Sequence, residues 1–169
     1  MRRFGFFLFP AAVVLVAVLL VARVTAFPRS EAPASQSARV GPCDVEFVTG
    51  ADSLDVRCDS QSGRVRLIGL DSPERGARGF ERASAGLRSL VGAAGSVTVH
   101  LAPGVGALEP GVERAADVYD GHGRNLSAEM IRRGWSRYRT LEPASPQGPE
   151  LAAAEIEARV QHRGVWAAR

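Results

Sequence analysis

The sequence predicts an α+β domain: a small five-stranded Greek-key β-barrel with about three helices. Short runs that alternate apolar and polar residues recur along the chain, which is typical of half-buried strands. Apolar residues at helical spacing lie between the third and fourth of these runs, and two more helical segments follow the fifth. Turns rich in glycine, serine and proline separate the elements. The chain has 169 residues, 46% of them apolar, which leaves room for one cored domain and for segments outside it.

The N-terminus is predicted to lie outside this domain. Arg2 and Arg3 precede an uncharged apolar run, residues 4–22, and the triplet Val24-Thr25-Ala26 follows. This pattern is typical of a secretory signal peptide, residues 1–26, cleaved after Ala26. The run is also close to the ~20 residues that span a bilayer, so an uncleaved membrane anchor is the alternative. Both interpretations place the rest of the chain outside the cytoplasm, secreted or in the cell envelope.

A segment rich in proline, serine and alanine, residues 27–42, is predicted to be a linker, and the folded domain is expected to span residues 43–169. The domain begins with two strand-like runs, CDVEFV and SLDVRC, that flank a turn at Gly50-Ala51. In an antiparallel hairpin that turns there, Cys43 faces Cys58 within the reach of a disulfide. Export favours a disulfide over two free thiols, because disulfides persist in oxidising compartments.

The remaining elements follow in order along the domain. Residues 64–70 are predicted as the third strand, and the spacing of Phe80, Ala83 and Leu87 predicts a helix near residues 79–92. The later elements are strands at residues 96–101 and 115–119, a short helix capped by Ser127 and ended by Gly134, and a last helix at about residues 149–162. Five short strands with helices in these places suit a barrel of the OB type.

Charged residues cluster in the segment VRLIGLDSPE, residues 65–74. Asp52 follows the first hairpin turn and Asp71 ends the third strand, and such strand ends converge in a barrel. Two carboxylates are hard oxygen ligands, which suit Ca²⁺ or Mg²⁺ rather than zinc. Glu74 lies where a carboxylate can orient a water, and Arg66 extends along the strand towards the same place. A cation, a carboxylate base and a fixed guanidinium are what hydrolysis of a phosphodiester needs.

The same segment also has a simpler explanation. D-S-P-E after a strand forms an ordinary turn, in which Asp71 accepts hydrogen bonds from backbone N–H groups and Arg66 pairs with a surface acid. The three histidines, His100, His122 and His162, show no metal-ligand spacing, and none lies near a cysteine in the sequence. The residues alone therefore leave the catalytic site and the structural turn as alternatives.

VRLIGLDSPE resembles the signature of the staphylococcal (micrococcal) nuclease, or thermonuclease, family, in which an R-L-x-G-[ILV]-D-[TAS]-P-E segment carries the site. The resemblance covers roughly residues 44–166 and includes the segments NLSAEMIRRGW and AEIEARVQHRGVW. It implies an OB-type barrel and Ca²⁺-dependent hydrolysis of DNA and RNA to products that end in 3′-phosphate.

The resemblance also implies a role for each residue of the segment. Asp52 and Asp71 match the calcium carboxylates, and Ser72 matches the residue that lends its main-chain carbonyl. Glu74 matches the general base, and Arg66 matches the first phosphate-binding arginine.

Two departures from the family pattern concern the same site. The family's D-G-D-T turn stands here as Gly50-Ala51-Asp52-Ser53, which lacks an acid that would support the metal. The family's second arginine, in D-x-Y-G-R before a strand, has no clean copy. Arg114 keeps the order of elements but lies one residue out of register with the A-D-V-Y strand. Arg124 keeps the G-R pair but leaves no strand before the next helix, so Arg114 is the preferred candidate.

The expected partners are DNA and RNA, preferably single-stranded. All 21 basic residues are arginine, the better bidentate partner for phosphate, and the net charge is +3. Several arginines at residues 132–139 lie beside Trp135 and Tyr138, and Tyr138 is the candidate for stacking on a base. A solvated helix face is the alternative explanation of these charges. Nothing predicts a code for base edges, and no protein partner is indicated.

Two other functions remain as alternatives. One is a non-catalytic nucleic-acid-binding barrel, in which the altered turn and the displaced arginine have abolished cleavage. The other is a tethered envelope protein that uses the barrel for protein contacts. Calcium-dependent cleavage separates the nuclease from both, and salt-dependent retention on DNA in EDTA separates the two alternatives from each other.

Overall fold

The strands and helices follow the predicted order in a computed structural model that describes residues 38–140 and 146–167. They are β1 (Arg39–Val48), β2 (Ser53–Cys58), β3 (Gln61–Leu67), β4 (Leu70–Asp71), α1 (Phe80–Ala94), β5 (Val97–Leu101), β6 (Glu113–Asp120), α2 (Leu126–Arg132), β7 (Arg137–Tyr138), α3 (Gly148–Val160) and a 3₁₀ helix (Gly164–Trp166). The predicted leader, residues 1–26, and residues 27–37 of the predicted linker lie outside the described residues. Within the described part, no helix has the length and apolarity needed to cross a membrane.

Five of the strands close into a barrel in the order β1-β2-β3-β6-β5, with β5 pairing back to β1. Neighbouring strands are antiparallel except β3 and β6, which run parallel. β4 and β7 form a separate two-stranded antiparallel ribbon. This architecture, with its three α-helices, confirms the predicted α+β barrel of the OB type.

The barrel interior is built from every second residue of each strand, as the alternating sequence predicts. The inward residues are almost entirely buried, and they include Leu54, Val56, Val65, Leu67, Val97, Val99, Leu101, Ala116 and Val118. Leu87 of α1, Ile131 of α2 and Leu151 of α3 are fully buried in the same core cluster. The helices therefore cover parts of the barrel that would otherwise expose apolar side chains.

The first hairpin contains the predicted disulfide between Cys43 and Cys58, whose Cα atoms lie 4.2 Å apart. Asp44 pairs with Arg57 as a turn at Gly50-Ala51 requires, but a bulge between Val45 and Phe47 shifts the register nearer the turn. β1 begins at Arg39, so strand structure starts four residues before the expected domain boundary.

Two local predictions need correction. The third strand spans Gln61–Leu67 rather than residues 64–70, and Asp71 ends the separate strand β4. The break occurs because the chain turns at Gly69, whose φ of +79° is a left-handed conformation that favours glycine. The short helix α2 is capped by Asn125 rather than Ser127, since the Asn125 side chain accepts hydrogen bonds from the backbone N–H groups of Ser127 and Ala128.

Helix α1 lies against the ring of Trp135 at Gly86, and this contact gives a testable prediction. A β-carbon at Gly86 would overlap the six-membered part of the indole, so Gly86→Ala should destabilise the fold. Overpacking costs about 1 to 3 kcal/mol, which exceeds the ~1 kcal/mol that alanine gains over glycine in a helix. Gly92→Ala in the same helix is the matched control, because a β-carbon there meets nothing within 4 Å and should stabilise. Thermal or urea unfolding measures both, and a stabilised Gly86→Ala would contradict the packing.

Candidate active site

The structure brings Asp52 and Arg66 together at one end of the barrel. Ser53 of β2 pairs with Arg66 of β3, and the Leu67 N–H donates to the Asp52 carbonyl at 2.8 Å, which fixes the turn against β3. The Arg66 Nε donates to Asp52 Oδ2 at 3.3 Å, and the Ser53 hydroxyl donates to Asp52 Oδ1 at 3.0 Å. The Asp52 side chain is only 15% exposed whereas that of Arg66 is 50% exposed, so the arginine can reach a ligand in solvent.

The segment after β4 carries the other candidate residues and is tied to the β1–β2 turn. Asp71 and Glu74 are exposed, and the Ser72 hydroxyl shares a 2.7 Å hydrogen bond with that of Ser136. Arg75 donates to the carbonyl of Thr49 at 3.1 Å, which holds the DSPE segment beside the turn that bears Asp52.

Helix α1 holds the same turn from another side. The Ser84 hydroxyl donates to the Gly50 carbonyl at 3.1 Å, and Ala51 is buried. The acid that the family turn carries would stand at Gly50, where a β-carbon would lie 3.6 Å from Asp52 Oδ1. Ala51 is therefore packed into the fold, while the Asp52 side chain on the same turn stays partly exposed.

The donor chemistry of this end of the barrel suits a hard divalent cation. Asp52 and Asp71 supply carboxylate oxygens, and the Ser72 carbonyl is a third oxygen of the same segment. Within the described residues, no three histidine, cysteine, aspartate or glutamate side chains gather as a metal cluster. Backbone carbonyls and water would therefore have to complete the coordination, as hard oxygen ligands allow.

Arg114 is not placed with Arg66. Arg66 pairs with Ala115 across the parallel strands β3 and β6, so Arg114, the residue before Ala115, points to the opposite face of the sheet. Its guanidinium donates to the Ala107 carbonyl at 3.2 Å and to Glu109 at 3.1 Å, in the loop between β5 and β6.

Arg124, the other candidate for the second arginine, is held within its own turn. Its Nε donates to Asp120 Oδ2 at 2.7 Å, and its backbone N–H donates to Asp120 Oδ1 at 2.9 Å. These bonds give Arg124 a structural role in the turn after β6.

An acid of β6, Glu113, lies diagonally across from Arg66 on the same face of the sheet. Its Oε1 lies 3.9 Å from Arg66 Nη1, on the face opposite to Arg114. Arg66 therefore lies between two carboxylates in this structure, those of Asp52 and Glu113. Arg114 lies one residue out of the register expected for the second arginine, and this offset was the sign in the sequence that its neighbour Glu113 takes that place. The sequence pattern did not identify Glu113, because the family pattern has an arginine at this place and Glu113 is an acid.

Tyr138 is half-buried and packs against the hydrophobic core. Its backbone N–H donates to Glu155 of α3 at 3.1 Å, and its ring lies beside Gly69, whose added β-carbon would be 3.8 Å from Tyr138 Cε2. These contacts fix the ring between the β4–β7 ribbon and helix α3. A role for Tyr138 in stacking on a base stays a prediction.

Two buried aspartates on β6 have pKa values shifted in opposite directions. Burial raises the pKa of Asp117, an effect to which the negative charge of Glu150 adds and which the nearby Asn125 side chain opposes. Burial by itself would also raise the pKa of Asp120. Hydrogen bonds from the Arg124 backbone and guanidinium and from the His122 N–H outweigh it, so the pKa of Asp120 is lowered.

These shifts predict opposite effects of removing each charge on stability. Because the pKa of Asp117 is raised in the folded state, folding favours its neutral carboxyl. The stability of the wild type therefore falls as the pH rises from the unfolded pKa of an aspartate, near 3.9, through the folded pKa of Asp117. Asp117→Asn should therefore be more stable than wild type at pH 7, and the gap should close in acid. Asp120→Asn should be less stable at pH 7, because its ionised form is the one that folding favours. Unfolding midpoints from pH 3 to pH 8 measure both, and equal signs would contradict the assignment.

Comparison with known proteins follows this geometry. A family model described as staphylococcal nuclease homologue matches residues 64–168, which is more than half of the chain. The match begins within β3 and includes the DSPE segment and all three α-helices. No curated protein matches the chain.

Proposed function

The chain belongs to the staphylococcal nuclease family, and we propose that it hydrolyses the phosphodiester bonds of DNA and RNA with Ca²⁺, leaving products that end in 3′-phosphate. The observation that carries this proposal is the Asp52–Arg66 pair at 3.3 Å, beside the tethered segment that bears Asp71 and Glu74. Under this proposal a base, an arginine and hard oxygen ligands act together at one end of the barrel.

Arg66 would bind a non-bridging phosphate oxygen and stabilise the charge that develops in the transition state. Its pair with Asp52 is half-exposed, so releasing the guanidinium costs only about 0 to 1 kcal/mol. Glu74 would accept the proton of the attacking water, a role for which its exposure gives access to solvent.

Asp52, Asp71 and the Ser72 carbonyl would hold the Ca²⁺ ion. The bound ion would neutralise phosphate charge and act as a Lewis acid. Two carboxylates leave several coordination positions for water and substrate, so the affinity for Ca²⁺ should be modest.

A non-catalytic nucleic-acid-binding barrel is the second candidate function. Two features support it: Glu113 stands beside Arg66, where a second cation would strengthen phosphate binding, and Gly50 stands where the family turn has an acid. Under this alternative the protein binds nucleic acid in EDTA and never cleaves it.

The proposal includes a location outside the cytoplasm, as a secreted domain or one tethered through residues 4–22. Its support is the sequence pattern of residues 1–26 and the disulfide between Cys43 and Cys58. N-terminal sequencing of the protein from its own host distinguishes the secreted form from the tethered form. Removal of residues 1–26 indicates secretion, and an intact N-terminus in the membrane fraction indicates an anchor. An intact, soluble cytoplasmic chain with free thiols would contradict both.

Analysis of cleavage products tests the proposed chemistry. Single-stranded DNA and RNA, labelled at the 5′ end, are incubated with the full-length protein in Ca²⁺ or in EDTA. The proposal expects both substrates to be cut in Ca²⁺, with products that phosphatase treatment shifts in a gel because they carry 3′-phosphate. Products with 3′-hydroxyl ends would overturn the proposed direction of cleavage.

A further inference from the structure

A groove lined by arginine lies next to the candidate active site. It is an open cavity of about 480 Å³ between the N-terminal end of α1, the segment after α2 and the 3₁₀ helix. The side chains that matter here are Arg78, Arg82, Arg137 and Trp135. Glycines 134 and 164 approach each other on the same wall, where the Val165 N–H donates to the Gly134 carbonyl at 2.8 Å.

The groove arginines carry charge that no acid neutralises. Arg78 and Arg82 are exposed, and in the described part of the chain neither forms an ion pair with a carboxylate. By contrast, three arginines close to the groove in sequence are paired: Arg132 and Arg133 with Glu129, and Arg163 with Glu157. The groove therefore keeps positive charge that is available to a ligand.

Aromatic rings accompany these charges. Arg137 lies over the ring of Trp166 at 5.0 Å, which orders its guanidinium before any ligand arrives. Trp135 lines the groove and is half-buried, so part of its ring stays open to the cavity. Arginine with exposed aromatic surface is the combination that binds the phosphates and bases of single-stranded nucleic acid.

The groove continues from the candidate active site. Arg137 of β7 pairs directly with Asp71 of β4, so one wall of the groove is a cross-strand neighbour of a proposed metal ligand. Gly79 lies beside Pro73, since a β-carbon on Gly79 would be 3.6 Å from Pro73 Cγ. A nucleic-acid strand bound at Asp71 and Glu74 would reach the groove within a few nucleotides.

We propose that this groove binds the sugar-phosphate backbone of the single-stranded substrate on one side of the bond that is cut. The inference rests on the proposed function and adds a subsite to it. A cavity of about 480 Å³ has the size of a small-molecule site, which matches a short stretch of single strand. Arg78 and Arg82 contact phosphates, and the exposed part of the Trp135 ring contacts a base.

Binding in EDTA tests the groove without requiring cleavage. The full-length double variant Arg78→Ala/Arg82→Ala is compared with wild type and with Arg39→Ala/Arg57→Ala, which removes the same charge from exposed barrel positions. Fluorescence anisotropy gives the affinity for a 12-nucleotide single strand at several salt concentrations. Thermal unfolding checks that each variant is folded.

The groove variant should bind about tenfold more weakly at moderate salt, and its log–log salt slope should be shallower by about 1.4, since two single-strand phosphate contacts are lost. The salt slope of the control variant should differ from that of wild type by less than about 0.7. Equal losses in the groove and control variants would overturn the subsite, as would wild-type binding by the groove variant. Tighter binding of the duplex than of the single strand would overturn the choice of substrate. If wild type binds through the groove but cleaves nothing in Ca²⁺, the proposed function fails while the binding groove stands.

Discussion

Glu74→Gln is expected to slow Ca²⁺-dependent cleavage by about 10²- to 10⁴-fold, the usual effect of removing a general base. The neutral amide cannot accept the proton of the attacking water. The Glu74 side chain is exposed, and its backbone carbonyl keeps the hydrogen bond from the Ala77 N–H at 2.9 Å, so the fold should not change. Affinity for DNA should be retained, because the substitution removes a negative charge near the phosphate.

Single-turnover cleavage with excess enzyme separates this loss of rate from a loss of binding. Asp44→Asn is the matched control, since it removes one carboxylate charge from an exposed position on β1. If D-S-P-E were only a turn, Glu74→Gln would cleave as fast as wild type and as Asp44→Asn. That result would leave Glu74 without a catalytic role.

Asp52→Ala and Asp71→Ala are each expected to reduce Ca²⁺-dependent cleavage by about 10³-fold or more, because Lewis-acid stabilisation is worth several kcal/mol. Stability should change little. Asp52 loses a half-exposed pair with Arg66, worth about 0 to 1 kcal/mol, and Asp71 is exposed. Cleavage rates over a Ca²⁺ titration, together with unfolding midpoints, measure both effects.

Asp55→Ala is the control for these two variants. Asp55 belongs to the same hairpin and pairs with Arg64 at 2.7 Å, so its loss breaks a similar ion pair without touching the proposed site. It should keep the wild-type dependence on Ca²⁺. Undiminished cleavage by Asp52→Ala or Asp71→Ala, or equal losses in all three variants, would rule out the proposed metal ligands.

Strand pairing explains both the disulfide and the centre of the site. A hairpin that turns at Gly50-Ala51 brings Cys43 opposite Cys58, as the sequence predicts. The register that brings Arg66 beside Asp52 depends instead on a tight turn at Asp59-Ser60, which pairs Cys58 with Gln61 and Ser53 with Arg66. Alternation also identifies the barrel interior, because inward residues must be apolar to be buried together.

Other parts of the structure depend on contacts that no local pattern encodes. The break in the third strand at Gly69 depends on tertiary packing against Leu151 of α3. The cap of α2 depends on which of two polar residues, Asn125 or Ser127, turns back towards the backbone. The face on which Arg114 lies depends on a parallel pairing of β3 with β6, which joins residues far apart in the sequence. A one-residue offset along a strand reverses the face, and this decides that Glu113 rather than Arg114 stands beside Arg66.

Glu113 bears directly on how strongly the site can catalyse. Its carboxylate lies 3.9 Å from Arg66 Nη1, where it opposes the approach of a phosphate and competes for the guanidinium. The proposed site would therefore depend on Arg66 and on a bound cation more than a site with two arginines. This dependence makes the response to Ca²⁺ the sharpest distinction between a nuclease and a binding module.

The most direct measurement is the rate at which the full-length protein converts single-stranded DNA to acid-soluble product as Ca²⁺ is titrated, with EDTA as the zero point. The account predicts a rate that rises with Ca²⁺, saturates and disappears in EDTA. Salt-dependent binding of the same DNA, with no product at any Ca²⁺ concentration, would contradict it and leave the barrel as a nucleic-acid-binding module.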